Sequence, residues 1–444
     1  MSLNLFFKTS TALLLLLTFR VYAYSQEVPR WVVADDKFRQ QKKFMPINFI
    51  YEPQIKSVQL YYSDGTSQAQ MNDPVVPIGL TSRLILEFDE IGDNADYYMA
   101  KLVHCNHDWT VSDLSELEYL KSYNEFRIQN YEYSINTPTP YTHFSLQLPA
   151  IRRSGNYILK VFREGDEDDL ILTRRLVAYE ERAHIMAELK VPVGVGAANE
   201  LHQVNFSVNY KGLDIPFPDR NVWVTLRQNE RWDNAIMALK PRFIRSTDYT
   251  LDYNYFDFEN AFLAGNEFRT FGFRNLSGAG LNVKTITDGS ESSMDRVVLY
   301  HDIKRGDKAF NQQQQDLNGS FFVQLSGRQN SEIEADYKEV VFTLKMDKVQ
   351  GDIYLLGKFT DWQLQDEFRM TYLPDQGVYM GSAILKQGLY DYMYTILKPD
   401  GKRDDQRVEG SFRLTKNLYD IIVYYRKIGE RGDRVIGYKR LRSE

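Results

Sequence analysis

The sequence contains a single cysteine, Cys105, in 444 residues. One thiol cannot form a disulfide within the chain, which excludes a small extracellular domain stapled by disulfides. Zinc sites built from paired Cys-x-x-Cys motifs are excluded for the same reason. A chain of this length is expected to form two or three domains, whose cores are large enough to fold without crosslinks.

Long hydrophobic runs are also scarce. The apolar run Thr11–Phe19 follows Lys8 and precedes the compact residues Val21 and Ala23, which is the pattern of a secretory signal peptide. The run is shorter than the roughly 20 residues of a spanning helix, although a short membrane anchor is the alternative. No cysteine lies directly after the apolar run, so lipoprotein processing has no acceptor. We expect cleavage between Ala23 and Tyr24 and a soluble exported protein without a membrane span.

Excess positive charge and familiar catalytic motifs are missing as well. The net charge of −6 argues against a non-specific nucleic-acid binder, which needs a basic field. The sequence has no Gly-x-Ser-x-Gly elbow, P-loop or Gly-x-Gly-x-x-Gly motif. The acidic run Glu164–Asp169 lacks the ligand order of an EF-hand and is interpreted as a hairpin turn. We therefore expect a binding or structural protein, not an enzyme, with no cofactor and no small-molecule substrate.

Aromatic residues are plentiful, at 14% of the chain, and they favour β-structure. Short segments of alternating apolar and polar residues, separated by Gly, Pro, Asn or Asp, predict strands. They are Ser57–Tyr62, Arg83–Glu90, Tyr97–Cys105, Thr142–Pro149, Asn156–Glu164 and Leu170–Glu180, then His202–Tyr210, Asn221–Asn229, Thr250–Phe258, Glu267–Leu276 and Arg296–Asp302. Such spacing predicts an all-β protein of consecutive immunoglobulin-like β-sandwiches with one or two short helices.

The same pattern suggests a division of the chain. After the signal peptide (1–23), we predict an N-terminal β-sandwich (24–180) and a second β domain (181–304). A linker or long loop (305–336) follows, because the stretch is polar and weakly patterned. The last predicted domain (337–444) is again β.

A short stretch, His104-Cys105-Asn106-His107-Asp108-Trp109, concentrates residue types that bind metals or act in catalysis. His104 and Cys105 are neighbours on a predicted strand, so their side chains point to opposite faces. At most one of them can join a zinc site with His107, and a Cys-His nucleophile fails the same test. Cys105 is therefore expected to be a buried, inert thiol.

The residues after this stretch predict a tight loop and a helix. Asp108 is expected to accept backbone N–H bonds in an Asx-type turn, and Trp109 to pack the loop onto the sandwich. Ser112 is the expected cap of a helix over Ser112–Leu120. On this interpretation, replacing His107 by alanine should change little.

The C-terminal region carries a pattern of spaced glycine and aromatic residues: Gly357, Phe359, Trp362, Gly377, Tyr379, Gly388, Tyr390, Tyr392 and Tyr394. In this pattern the region resembles the E-set immunoglobulin-like domains of the glycogen-binding class. In the sugar-binding members, the tryptophan at position 362 forms half of a stacking platform. The position of the second tryptophan is occupied here by Lys402 and Arg403. The resemblance implies that the fold is kept and the sugar site is lost.

A longer series of spaced residues begins at the same stretch: His104, Cys105, Asp108, Trp109, Ser112, Leu114, Glu118, Tyr119, Leu120, Ser134, Asn136, Thr137, Tyr141, Thr142, His143 and Phe144. In these residues, and over nearly its whole length after the signal peptide, the chain resembles the type IX secretion system plug proteins of Bacteroidota. We call His104–Ser112 the signature loop. Its residues, with Tyr119, are expected to serve structure or an interface.

The resemblance implies a non-enzymatic periplasmic protein on the inner side of the outer membrane. It would seat against the outer-membrane translocon barrel and close the pore when no substrate is in transit. The alternatives are an exported polysaccharide-binding protein that uses Trp362, and a metal-dependent enzyme built on His104 and His107.

The signal-peptide assignment makes a direct prediction. Edman sequencing or mass spectrometry of the mature protein from its native host should give an N-terminus at Tyr24, because signal peptidase cleaves after Ala23. A mature chain that still begins at Met1 would show that the apolar run is retained as an anchor.

Overall fold

The computed structural model of the chain describes residues 33–34, 41–66, 68–93, 95–192, 197–275, 280–287, 289, 294–308, 310 and 316–443. The predicted signal peptide, with Ala23 and Tyr24, lies outside these residues.

The first β-sandwich is built from two sheets. One has the order β2-β11-β10-β6-β7 with β4 beside β11, and the other the order β3-β5-β9-β8. Alternation in β5 points Leu84, Leu86 and Phe88 into the core between the sheets. The strands are β1 (Val33–Ala34), β2 (Phe49–Ile50), β3 (Ile55–Tyr62), β4 (Val75–Pro77), β5 (Leu84–Ile91), β6 (Tyr98–Cys105), β7 (Phe126–Arg127), β8 (Asn130–Tyr133), β9 (Tyr141–Gln147), β10 (Gly155–Arg163) and β11 (Leu170–Tyr179). Strand β1 belongs to neither of these sheets and forms a separate two-stranded parallel sheet with β26.

The second sandwich combines two distant parts of the chain. Its strands are β12 (His184–Lys190), β13 (Leu201–Asn209), β14 (Val222–Gln228), β15 (Ile236–Leu239), β16 (Phe243–Arg245), β17 (Thr250–Asp252) and β18 (Ala261–Leu263), with β31 (Leu418–Tyr425) and β32 (Arg434–Arg442). One sheet runs β12-β13-β17-β16, with β18 also on β13, and the other runs β15-β14-β31-β32. The chain end therefore completes the core around Val204, Phe206 and Ile421.

The third sandwich lies between these two parts in sequence. Its strands pair in the order β19-β29-β25-β27-β28-β24-β21-β20, with β22, β23 and β30 alongside. Rings of Phe271, Phe342 and Tyr392 meet edge to face across its core. The strands are β19 (Arg269–Gly272), β20 (Val283–Thr287), β21 (Arg296–Leu299), β22 (Asp302–Ile303), β23 (Phe321–Val323), β24 (Tyr337–Lys345), β25 (Asp352–Leu356), β26 (Leu364–Gln365), β27 (Arg369–Leu373), β28 (Val378–Lys386), β29 (Gly388–Leu397) and β30 (Arg403–Asp404).

Helices are few and short in the described residues. They are α1 (Glu116–Tyr119), α2 (Ala197–Glu200), α3 (Pro218–Asn221), α4 (Ser331–Glu334) and α5 (Gln406–Glu409), with 3-10 turns at Ala69–Met71, Ile78–Arg83, Lys358–Thr360 and Asp366–Phe368. None of the helices described has the length and apolar character needed to cross a bilayer. The all-β prediction is confirmed.

Two expectations are revised by these elements. Within the predicted linker 305–336, β23 is a buried strand paired with β29, because Phe321–Val323 is apolar. Strand β31, which the sequence grouped with the last domain, pairs with β14 of the second sandwich. The exact domain boundaries stay a prediction, but any division must keep β31 and β32 with β14.

The first and third sandwiches meet at a buried carboxylate. Lys386 Nζ lies 2.5 Å from Asp89 Oδ2, and the hydroxyl of Tyr337 donates to the same oxygen at 2.6 Å. His143 Nδ1 lies 2.7 Å from Asp89 Oδ1. Burial alone would raise the pKa of Asp89, but Lys386 and His143 outweigh it and hold the pKa below its usual value. The carboxylate is therefore charged and bridges the two sandwiches.

Similar pairs join the second sandwich to its neighbours. The Arg227 guanidinium, fully buried, donates to Asp420 at 2.6 Å and also to Asp73 of the first sandwich. Arg403 of the third sandwich donates to Asp233 at 2.6 Å. Full pairing of these charges requires the sandwiches to dock in this arrangement.

Replacing Lys386 with methionine should therefore destabilise the protein strongly. The change leaves Asp89 buried without its cation, which costs roughly 3–5 kcal/mol in buried pairs of this kind. Urea denaturation followed by circular dichroism gives the free energy of unfolding.

The matched control is Lys190→Met. Lys190 pairs with Glu188 at 3.0 Å on an exposed strand, and such pairs contribute less than about 1 kcal/mol. Equal destabilisation by the two substitutions would contradict the assigned role of Asp89.

Candidate functional site

The signature loop is a tight turn at the end of β6. The backbone N–H of Asn106 donates to the carbonyl of Thr110 at 2.8 Å, and that of Trp109 donates to the carbonyl of Asn106 at 3.0 Å. Asp108 Oδ1 accepts the backbone N–H of Thr110 at 3.1 Å, which confirms the Asx-type turn. Trp109 adopts a left-handed backbone conformation with φ of 67°, and this conformation turns its side chain back into the protein.

Trp109 is completely buried, and its neighbours come from two sandwiches. The Arg175 guanidinium lies 4.2 Å from the centre of the Trp109 ring. The ring of Trp232, in the second sandwich, meets Trp109 edge to face at 4.8 Å. The Arg227 guanidinium lies 4.5 Å from the centre of the Trp232 ring. Burial lowers the pKa of Arg175 to about 9. Two indoles in contact, each with a guanidinium over its ring, thus fill the seam between the first and second sandwiches.

His107 makes an unexpected contact with the other end of the chain. Its backbone N–H and its Nδ1 both lie 2.8 Å from Asp433 Oδ2, and its ring stacks on Trp223 at 4.2 Å. Burial would raise the pKa of Asp433, but hydrogen bonds from His107 and Arg426 outweigh it and lower the pKa to about 2. These contacts argue against the expectation that His107→Ala changes little, because the side chain ties the loop to the β31–β32 hairpin.

His104 lies on the opposite face of β6 from Cys105, as the alternation predicts. Its Nδ1 is 2.8 Å from the hydroxyl oxygen of Ser112. Burial, with a smaller contribution from Arg153, lowers the pKa of His104 to about 4, so the ring is neutral at physiological pH. A Cβ at Gly155 would lie 2.2 Å from His104 Nε2, which explains glycine at that position.

Cys105 packs among apolar side chains, including Trp109, Ile158 and Val177. Burial raises the pKa of its thiol to about 12, so the thiolate that metals and electrophiles need is absent at neutral pH. In the part of the chain that the structure describes, no group of three or more His, Cys, Asp or Glu side chains is arranged to hold a metal ion.

Ser112 does not cap a helix. Helix α1 begins only at Glu116, and its cap is Ser115, whose backbone N–H and hydroxyl both donate to the Glu118 carboxylate. The hydroxyl of Ser112 is instead engaged with His104, so the predicted start of the helix was too early. Tyr119, in α1, donates its hydroxyl to the carbonyl of Leu102 at 3.1 Å and closes the segment over β6.

Trp362 is buried, with 7% of its surface exposed. The Arg231 guanidinium lies 4.2 Å from the centre of its ring, and Phe268 meets the ring edge to face at 5.8 Å. A Cβ at Gly319 would lie 2.5 Å from the indole. A sugar platform needs an open ring face, so Trp362 cannot serve as one in this arrangement. The ring fills the seam between the second and third sandwiches.

Two further hydrogen bonds hold the signature loop in place. The side chain of Asn156 donates to the carbonyl of Asn106 at 2.9 Å and accepts the hydroxyl of Tyr424 at 3.0 Å. Sequence reasoning missed these partners, and also Arg175, Trp232 and Asp433, because they are far from the loop in sequence. The arrangement can hold sandwiches together, and it offers no nucleophile or open ligand site at the loop.

Substitutions in the signature loop should measure separately how much Trp109 and His107 each contribute to the stability of the protein. Trp109→Ala should lower the free energy of unfolding by roughly 3–5 kcal/mol through the cavity it leaves. His107→Ala should lower it by roughly 1–3 kcal/mol, because buried Asp433 loses a hydrogen-bond partner. Thermal and urea unfolding measure both changes.

Val111→Ala is the control in the same loop, because Val111 is exposed and should tolerate the change. A His107→Ala protein as stable as the control would show that the Asp433 contact contributes nothing.

Comparison with known proteins places this geometry in a family. Residues 55–180, which include the signature loop, match the family model described as type 9 secretion system plug protein 1st domain. A crystal structure of a hypothetical protein from Parabacteroides merdae is similar to this chain, with 30% identity and a TM-score of 0.82, over 89% of this chain and 99% of that one. No curated protein matches the chain. The chain belongs to the type 9 secretion system plug protein family.

Proposed function

We propose that this protein is a non-enzymatic plug of the type 9 secretion system. It is exported to the periplasm, seats against the inner side of the outer-membrane translocon barrel, and closes the pore while no substrate is in transit. Membership of the plug family supports an association with the secretion machinery. The seating and the closure are our proposal.

The observation that carries the proposal is the docking of three sandwiches through buried charges. Two of these pairs, Asp89–Lys386 and Arg403–Asp233, each join two sandwiches. The third pair, Arg227–Asp420, lies within the second sandwich at its seam with the first. A body that obstructs a pore must resist deformation, and paired buried charges penalise any other arrangement of the sandwiches. A compact chain of this length has a radius of gyration of about 22 Å, a size that suits the obstruction of a wide pore.

The residues whose types suggested a metal, catalytic or sugar-binding site support the same proposal. His104, Cys105 and Trp109 are buried in packing roles, and His107 is held by Asp433. Trp362, the basis of the polysaccharide alternative, is covered by Arg231 and Phe268. A protein that closes a pore needs a folded surface and a releasable interface, and neither depends on catalysis.

Two measurements in the native host test this function. Affinity purification of a tagged translocon should bring the protein down in stoichiometric amount from wild-type cells. Deletion of its gene should raise the permeability of the outer membrane to bulky solutes, measured as uptake of a large antibiotic, because idle pores stay open.

Complementation with the wild-type gene is the control for the permeability change and should restore the barrier. Absence of the protein from the purified translocon, together with unchanged permeability after deletion, would refute the proposal.

A further inference from the structure

One flank of the first sandwich is covered. The other is open as far as Tyr133, beyond which the N–H of Ile135 donates to the carbonyl of Ile333 in the third sandwich at 2.8 Å. On the covered flank, the side chain of Gln59 in β3 donates to the carbonyl of Phe321 at 3.3 Å, and Lys56 pairs with Glu367 at 2.6 Å. On the other flank, the edge strands of both sheets, β7 and β8, lie next to each other, because only two residues connect them. We call Phe126–Tyr133 the open edge.

Strand β8 presents backbone groups to solvent along this edge. Its residues pair with β9, and the N–H of Ser134, which follows β8, donates to the carbonyl of Tyr141 at 2.9 Å. Hydrogen-bonded and outward-facing residues alternate in an antiparallel pair, so the N–H and C=O groups of Tyr131 and Tyr133 point away from β9. All four residues of β8 are exposed. A free row of this kind is the template on which a further strand adds.

Exposed tyrosines flank this row. Tyr131 is 40% exposed and Tyr133 is 56% exposed, and their rings meet edge to face at 6.0 Å. Tyr97, beside β7, is 57% exposed, and Arg127 lies 5.3 Å from its ring centre. Tyrosine is enriched in interfaces, because it buries much area while its hydroxyl keeps a polar partner.

The chain segments that form the open edge or flank it in sequence carry more acidic than basic side chains. Residues 111–135 contain five acidic and two basic side chains, and the neighbouring hairpin Glu164–Asp169 contains five acidic side chains and no basic one. Some of these acids are neutralised, as Glu164 is by Arg127 at 3.0 Å. Among the described residues, Glu132, Asp166 and Asp168 have no salt-bridge partner, so the edge carries an unbalanced negative field.

We propose that the open edge is a docking site for an extended basic segment of the secretion translocon, which adds to β8 as a further strand. The inference rests on the proposed function and assigns the surface that makes the contact. Backbone groups of Tyr131 and Tyr133 bond the added strand, and Tyr97, Tyr131 and Tyr133 pack against its side chains. Lys and Arg of that segment meet Glu132 and the acidic hairpin.

Charge selects this occupant over a second copy of the chain. In the antiparallel register that pairs Tyr131 of each copy with Tyr133 of the other, two Glu132 side chains face each other, and like charges across a strand pair are destabilising. A basic segment removes that repulsion and gains attraction, which also speeds association.

The test compares two substitutions at one position. Tyr133→Pro removes an outward N–H without disturbing the bonds to β9, since a proline is tolerated where the N–H faces solvent. Tyr133→Val also removes the ring but keeps the N–H. Each purified variant is titrated against the purified tagged translocon, and its melting temperature is measured.

We expect the Tyr133→Pro protein to bind about tenfold more weakly than the Tyr133→Val protein. Glu132→Lys should also weaken binding, more at low salt than at high salt, because it reverses a charge at the site. Phe243→Ser, on the exposed strand β16 of the second sandwich, is the control and should bind as the wild type does.

The outcomes distinguish this inference from the function on which it rests. If the wild type does not bind the translocon, the proposed function fails. If the wild type binds and the folded Tyr133→Pro and Glu132→Lys proteins bind equally well, the docking site is refuted. Self-association that Tyr133→Pro abolishes, with translocon binding intact, would identify a second copy as the occupant and would also overturn the inference.

Discussion

Buried charges at the seams between the sandwiches constrain the whole structure. Each sandwich has its own apolar core, but Asp89 of the first sandwich is paired with Lys386 of the third, and Arg227 lies between carboxylates of the first and second. Removal of a charge from water is costly unless a partner of opposite charge is placed well. Any slip at a seam would leave such a charge unpaired, so the pairs specify one arrangement of the three sandwiches.

The signature loop also helps to fix the arrangement of the three sandwiches. Trp109 seals one seam against Arg175 and Trp232, while His107 joins the loop to Asp433 near the end of the chain. The residues that look like a metal site are therefore part of the packing that makes one body from three sandwiches. The open edge at β8 differs from the seams, because its backbone groups and tyrosines face solvent. The proposed function needs both features, a resistant body and a surface that can bind and release.

Local features were predictable from the sequence, and the long-range ones were not. Alternation located strands such as β5, β6 and β10, and the turn chemistry of Asp108 was correct. The helix start was misplaced, because Ser112 and Ser115 are both good caps and only the contact with His104 decides between them. The pairing of β31 with β14 joins residues about 200 positions apart in the chain, and no local pattern encodes such a partner. The role of His107 was missed for the same reason.

The central claim is that the three sandwiches form one cooperative unit held by buried charges. Differential scanning calorimetry of the purified mature protein tests it most directly. We predict a single transition whose van't Hoff and calorimetric enthalpies agree, since no sandwich can separate without exposing unpaired charges and the rings between them. Two or more resolved transitions, each with its own cooperative enthalpy, would show that the sandwiches unfold independently and would contradict this account.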